Sequence, residues 1–258
     1  MTASRGILFG TPWTRRPGSV PTMRRSMKTS LWDPEYQRGG VPSSVRESPS
    51  GALVWALDNW SRLDRAPAIG ARGLDVGCGT GRNTAHLVSR GFEMTAFDSS
   101  EVAIERARQR FAGRPEQPEL LLHDLTDGLP VASGSIDFIV DTFVYKHQVE
   151  PSTRRAYRAE MSRVLKATGR VLISVAEPDD DYYGACPSHP SDTAGPHAVI
   201  DPALDVGSVL FSARELMEDV ADCLQLEMVW RKERPGEMHG APAVRRTMAT
   251  IWRRRAAQ

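Results

Sequence analysis

Gly73-Leu-Asp-Val76 runs without a break into Gly77-Cys-Gly-Thr-Gly81, and residues 83–90 then show helical spacing before Gly91 stops them. A short apolar strand, a glycine turn and a helix therefore follow one another. Glycine at alternate positions lets backbone N–H groups approach a ligand with no Cβ in the way, and the helix that follows points its positive dipole end at the same place. The turn is suited to an anionic group. A dinucleotide fingerprint would need a third glycine at position 82, where Arg82 stands, so the GxGxG spacing holds and the GxGxxG spacing fails.

Outward from this turn the chain repeats the same βα unit. Upstream, Ser50 is placed to cap an apolar-periodic helix through Leu53, Trp55, Ala56 and Trp60, which Arg65-Ala-Pro67 breaks. Downstream, a strand over 93–97 ends at Asp98, a helix covers 101–111, a strand over 120–122 ends at His123-Asp124, and 136–140 forms a fourth strand. An amphipathic helix over 154–166, a turn at Thr168-Gly169 and a fifth strand over 170–175 follow. Continuously apolar strands of this kind imply a parallel sheet covered on both faces. Ser212 then caps a helix over 213–223, and strands over 224–230 and 246–252, separated by a loop from Glu233 to Gly240, are expected to pair as a hairpin. The expected fold is α/β: a doubly wound, mostly parallel seven-stranded sheet with a terminal antiparallel hairpin.

Composition narrows the class. The 258 residues carry 33 Lys and Arg against 32 Asp and Glu, so the chain as a whole has neither a nucleic-acid footprint nor a disordered, solvating character. Six of the basic residues and no acid lie in residues 1–30, a Pro-broken arm expected to be disordered, so the domain proper, residues 31–258, is net acidic. Three scattered cysteines make no disulfide framework, and no apolar run reaches the length of a membrane span, so a cytoplasmic protein with a small-molecule partner is expected. Oligomeric state is not legible.

Asp98 lies 17 residues after Gly81 at a strand end, where a carboxylate can accept both ribose hydroxyls, and Asp124 ends the third strand, within reach of an adenine amino group. Capping of a helix or turn is the alternative reading of each. With these residues in place, Leu74-Asp-Val-Gly-Cys-Gly-Thr-Gly81 resembles the first motif of the class I S-adenosylmethionine-dependent methyltransferases, and the similarity covers about residues 31–255. Gly81-Arg-Asn83, the Gly91 turn, Leu31-Trp-Asp-Pro-Glu-Tyr36 and Gly236-Glu-Met-His239 resemble, more narrowly, the tellurite-resistance and thiol methyltransferase branch. The resemblance implies S-adenosylmethionine as cofactor and S-adenosylhomocysteine as product. It implies that Asp75, Gly77, Gly79 and Gly81 hold the methionine part, Asp98 the ribose and Asp124 the adenine. It also implies that residues 31–50 fold over the cofactor as a lid, with Tyr36 and Arg46 facing the methionine carboxylate or the substrate and Trp32 at the substrate pocket. The basic arm and the long insert over 176–210 depart from the branch, so the acceptor need not be tellurite or a thiol.

Asp141-Thr-Phe-Val-Tyr-Lys-His147 follows the fourth strand, at the sheet edge where open α/β sheets bind ligands. Asp141 is placed there with the cofactor contacts. Methyl transfer is an in-line displacement on an already activated electrophile, so alignment and exclusion of water supply most of the acceleration. A hydroxyl or protonated amine would still need a base, and His147, with an ordinary pKa of about 6.5, is the leading candidate, with Tyr145 and Lys146 behind it. An ordinary loop histidine is the alternative. In the insert, Tyr182, Tyr183 and His189 are candidate substrate contacts on a lid; the Cys186-x2-His189-x7-His197 spacing lacks a paired knuckle, so no metal is expected. An oxygen or nitrogen acceptor is favoured, with a sulfur or metalloid acceptor, or cofactor binding without transfer, as alternatives. Arg82 and the terminal hairpin disfavour a nicotinamide-dependent oxidoreductase.

Overall fold

A computed structural model of the chain describes residues 30–39, 41, 46–63 and 70–255. Residues 1–29 of the basic arm and the Arg65-Ala-Pro67 break lie outside them. The central sheet is built from β1 (Arg72–Val76), β2 (Glu93–Asp98), β3 (Glu119–Leu122), β4 (Ile136–Thr142), β5 (Leu165–Ala176), β8 (Leu224–Met238) and β9 (Ala241–Arg254), in the order β3-β2-β1-β4-β5-β9-β8. The first five strands pair in parallel, and β9 is antiparallel to both β5 and β8. The fold is thus a class I methyltransferase-type α/β sheet. Winding reverses between β1 and β4, and the crevice at such a switch point is where these sheets take ligands.

Apolar continuity in the strands reflects burial on both faces. In β4, Ile139 packs on one side with Leu74, Met161 and Leu216, while Phe138 and Val140 pack on the other with Leu53, Leu87 and Ile251. The first of these layers is supplied by α5 (Pro151–Val164) and α6 (Ala213–Val220), and the second by α2 (Gly51–Asp58) and α3 (Arg82–Ser89). Caps follow the sequence: the Ser50 side chain accepts from Leu53 N at 3.2 Å, Ser100 starts α4 (Glu101–Phe111), and Ser212 with Glu215 forms a capping box. Among the described residues no helix is long and apolar enough to cross a membrane.

Three expectations are corrected. Thr168-Gly169 is not a turn, because α5 ends at Val164 and the chain passes directly into β5 across a register shift opposite Ile136 and Phe138. The segment from Glu233 to Met238 is strand, not loop: β8 and β9 continue past the sheet as a two-stranded arm that closes at His239-Gly240. Inside the insert, β6 (Ala198–Asp201) and β7 (Val206–Val209) form a separate antiparallel pair where only a polar loop was expected.

Candidate active site

A cavity of about 520 Å³ opens at the carboxyl ends of β1, β2 and β4. The glycine turn meets it at Gly77. Gly77, Gly79 and Gly81 have φ of 59°, 55° and 77°, a region that costs other residues strain. Space reinforces the requirement, since a Cβ on Gly77 would stand 2.4 Å from Val144 Cγ2 and one on Gly79 would stand 2.7 Å from the Tyr36 hydroxyl. Only Gly77 of the three reaches the cavity wall; Gly81 packs on Ala107 and Phe111 of α4.

The acids expected around the cofactor divide into two groups. Asp98 and Asp124 line the cavity. Asp98 is buried and accepts from Gly79 N and Ser100 N at 2.9 Å each, which leaves lone pairs on both oxygens; burial raises its pKa to about 6. Asp124 is exposed, and the Thr126 amide and hydroxyl donate to its Oδ1 at 2.9 and 2.8 Å. Asp75 and Asp141 stand behind the wall, not on it. Asp75 accepts from the Thr84 hydroxyl at 2.6 Å and leaves Oδ1 without a partner. Asp141 is consumed by its own turn, accepting from Val144 N, Tyr145 N and the Tyr157 hydroxyl at 2.9, 3.1 and 2.8 Å. Burial pushes both carboxyls up to about 7.

Residues of the segment expected to act as a lid line the cavity. α1 (Asp33–Arg38) carries Trp32 and Tyr36 at its start and middle, and both join Arg46 in the lining. The segment is tied to the β2 loop by Ser100 Oγ donating to Asp33 at 2.5 Å and by the Ser30–Ser99 hydroxyl pair at 3.1 Å. Asn83 bridges the other side, accepting from Ser50 N at 2.8 Å and donating to the Thr142 hydroxyl at 3.1 Å.

The segment after β4 rearranges the expected catalytic candidates. Tyr145 is removed from the site: it is fully buried among Tyr157 and Phe211, and its hydroxyl donates to Asp219 at 2.6 Å. Lys146 and His147 face the cavity. Lys146 is buried, donates from Nζ to Ser208 Oγ at 3.0 Å and lies 3.6 Å from the Tyr183 ring centroid; burial, with Arg245 adding to it, lowers its amine to about 7. His147 Nδ1 lies 2.9 Å from the Gly207 carbonyl, which can only accept, so Nδ1 carries the hydrogen and Nε2 keeps its lone pair. Burial, then Lys146, pushes this imidazole well below its ordinary range. Trp32 meets its ring edge-on at 4.8 Å. Gly207 and Ser208 belong to β7, so the insert's strand pair sets the position of both basic side chains.

Of the insert's other candidates only Tyr183 lines the cavity. The Tyr182 hydroxyl donates to Asp201 at 2.8 Å, and His189 accepts from Ser191 N at 3.1 Å beside Gly207. Cys186, His189 and His197 are not assembled: Cys186 contacts the Tyr182 carbonyl, His197 faces Glu215 at 3.3 Å, and among the described residues no group of three such side chains is placed to hold a metal.

Unforeseen is the roof. The β8–β9 arm brings Trp230, Lys232, Arg234, Met238, Arg245 and Thr247 over the cavity. Positions 230, 232, 234, 236 and 238 alternate, and that spacing was visible in the sequence, although the inward members are partly cationic.

Residues 74–169 match the family model of a methyltransferase domain. The demethylmenaquinone methyltransferase of Clavibacter sepedonicus is 39% identical over 160 residues, 62% of this chain and 59% of that protein. The chain spans less than two thirds of the length of the curated relatives it matches. The structure of Burkholderia thailandensis 1,6-didemethyltoxoflavin-N1-methyltransferase, with 1,6-didemethyltoxoflavin and S-adenosylhomocysteine bound, superposes with a TM-score of 0.63 at 21% identity over 94% of each chain. TehB from Haemophilus influenzae gives 0.55 at 21% identity over 80% of this chain and 62% of its own. The glycine turn, the sheet order and the matched region agree: residues 74–169 are similar to a methyltransferase domain, and the sheet is that of the class I methyltransferase fold.

Proposed function

We propose that the protein transfers the methyl group of S-adenosylmethionine to an oxygen or nitrogen of a small molecule. The residues fit that cofactor: Gly77 of the glycine turn lines the cavity, and Asp98 keeps free lone pairs at a strand end facing it. When bound, S-adenosylmethionine supplies a methyl group activated by a positive sulfur. The chain's own residues align the acceptor, exclude water and take up a proton. Trp32 and Tyr183 supply flat walls beside Lys146 and His147, and the roof closes the cavity on a molecule of modest size. A small-molecule acceptor is supported by the B. thailandensis and C. sepedonicus enzymes, whose names refer to small molecules.

The observation that carries the oxygen or nitrogen assignment is Lys146. A buried amine with a pKa of about 7 is part-deprotonated at neutral pH and faces the cavity, so it can accept a proton from a hydroxyl or an ammonium. His147, already neutral, accepts a hydrogen bond at Nε2 and orients the acceptor. The base role, first in line for His147 on sequence, passes to Lys146. Activity should rise with pH through about 7 as Lys146 loses its proton. Lys146→Met should lower kcat by about 10²–10⁴ and remove that inflection, and Lys146→Arg, which stays charged, should not restore it. An acidic limb identical in wild type and Lys146→Met would sink the assignment. Binding of S-adenosylhomocysteine with no methylated product from any acceptor would indicate a binding protein instead.

A further inference from the structure

Three cations of the β8–β9 arm, Lys232, Arg234 and Arg245, line the cavity against one acid of the arm, Glu237, which makes no ion pair among the described residues. Strand alternation places Trp230, Lys232 and Arg234 on the cavity face, and the register sets Arg234 directly opposite Arg245. Like charges in direct cross-strand register repel. Arg245 is compensated by the buried carboxylate of Asp180 at 2.8 Å. Among the described residues no carboxylate pairs with Arg234 or Lys232. Lys232 is further disfavoured by its position: a side-chain carbon on Gly51, the first residue of α2, would stand 3.2 Å from its Nζ, so the amine sits at a positive helix end. Gly236 makes room for the crowding, since a Cβ there would approach Arg245 Cγ at 3.0 Å.

Arg46 and Arg82 add to the same wall, and burial together with Arg46 pulls both Arg82 and Arg234 below the ordinary arginine range. One carboxylate, on the methionine part of the cofactor, would answer Arg46 and Arg82 next to the glycine turn. Lys232 and Arg234 are left without a carboxylate on the roof, with the Lys232 amine 5.3 Å from the centroid of the Trp230 ring, which itself stacks on Trp55 at 5.6 Å.

Resting on the methyl-transfer reading, we infer that the acceptor carries an acid group, a carboxylate or a phosphate ester, held by Lys232 and Arg234 on the inner face of the arm. Charge-assisted pairing from a partly buried guanidinium is strong and geometrically selective, so these two residues would fix which end of the acceptor enters first and hold its nucleophile toward Lys146.

The test uses the full chain saturated with S-adenosylhomocysteine and three probes of similar size: benzoate, phenyl phosphate and benzyl alcohol. At least one acid should bind about tenfold or more tighter than the alcohol, and Arg234→Met and Lys232→Met should each weaken it about tenfold while S-adenosylhomocysteine affinity stays within about twofold. A larger effect for phenyl phosphate than for benzoate would identify the acid as a phosphate, and the reverse as a carboxylate. The inference is overturned if neither acid is preferred to the alcohol, if both variants keep wild-type acid affinity, or if the acid competes with S-adenosylhomocysteine. Loss of S-adenosylhomocysteine affinity in Arg234→Met would also overturn it, since the roof would then serve the cofactor. Failure of the wild-type chain to bind S-adenosylhomocysteine at all would instead remove the methyl-transfer reading, and this inference with it.

Discussion

The two faces of the β8–β9 arm are charged by opposite rules. On the outer face Glu233 stands opposite Arg246 with 3.2 Å between them, Arg246 also reaches Asp179 and Asp181, and Arg231 pairs with Glu177 at 2.9 Å. On the inner face Arg234 stands opposite Arg245 and Lys232 opposite Thr247. The strands, the register and the alternation are the same, so nothing in the backbone demands the difference. Arg231, Glu233 and Arg246 on the outer face are each paired within the protein, whereas of the arm's cations turned toward the cavity only Arg245 has a carboxylate among the described residues, at Asp180.

Substitutions can break or sharpen that contrast. The largest effect should come from Asp180→Ala. Its carboxylate accepts from Arg245 Nε and Arg246 N at 2.8 Å each and from Tyr183 N at 3.0 Å, so removal strands a buried guanidinium against Arg234, and urea unfolding should show a loss of about 3–5 kcal/mol. Arg234→Met should act in the other direction, raising the stability of the unliganded protein by about 0.5–1 kcal/mol as the cross-strand repulsion disappears. A loss of stability there would mean that the inner face is already compensated, and the contrast would fail. Smallest should be Glu233→Ala: the pair it breaks is solvent-exposed, and a change of about 0.5 kcal/mol or less is expected by thermal denaturation.

The sheet was legible in the sequence because its signals are local. Apolar runs over 93–97 and 136–140, the glycine turn and the serine caps each act within a few residues, and the observed strands and helices lie within a few residues of the expected ones. The arm was not legible, since Pro235, Gly236 and Gly240 read as loop residues and an inward lysine or arginine is indistinguishable by hydropathy from an outward one. At the site the same blindness cut both ways. Asp141 and Tyr145 sit at the right strand end, yet one is bound by its own turn and the other by Asp219. Lys146 stands behind His147 on sequence because an ordinary lysine is charged at neutral pH, and it is burial, which Tyr183 and Ser208 complete as packing partners, that lowers it. Those partners come from a segment 37 to 62 residues further along the chain, beyond any local signal.

The latch between α1 and the β2 loop bears on timing. Ser99 and Ser100, which grip Ser30 and Asp33, adjoin Asp98, so the carboxylate proposed to hold the ribose and the hinge of the cover share one short stretch of backbone. If residues 31–50 act as a cover, opening it would break two hydroxyl contacts, Ser30 with Ser99 and Ser100 with Asp33. On that reading Ser30→Ala or Asp33→Ala should shorten the residence time of S-adenosylhomocysteine, measured by stopped-flow displacement, and an unchanged residence time would count against the cover.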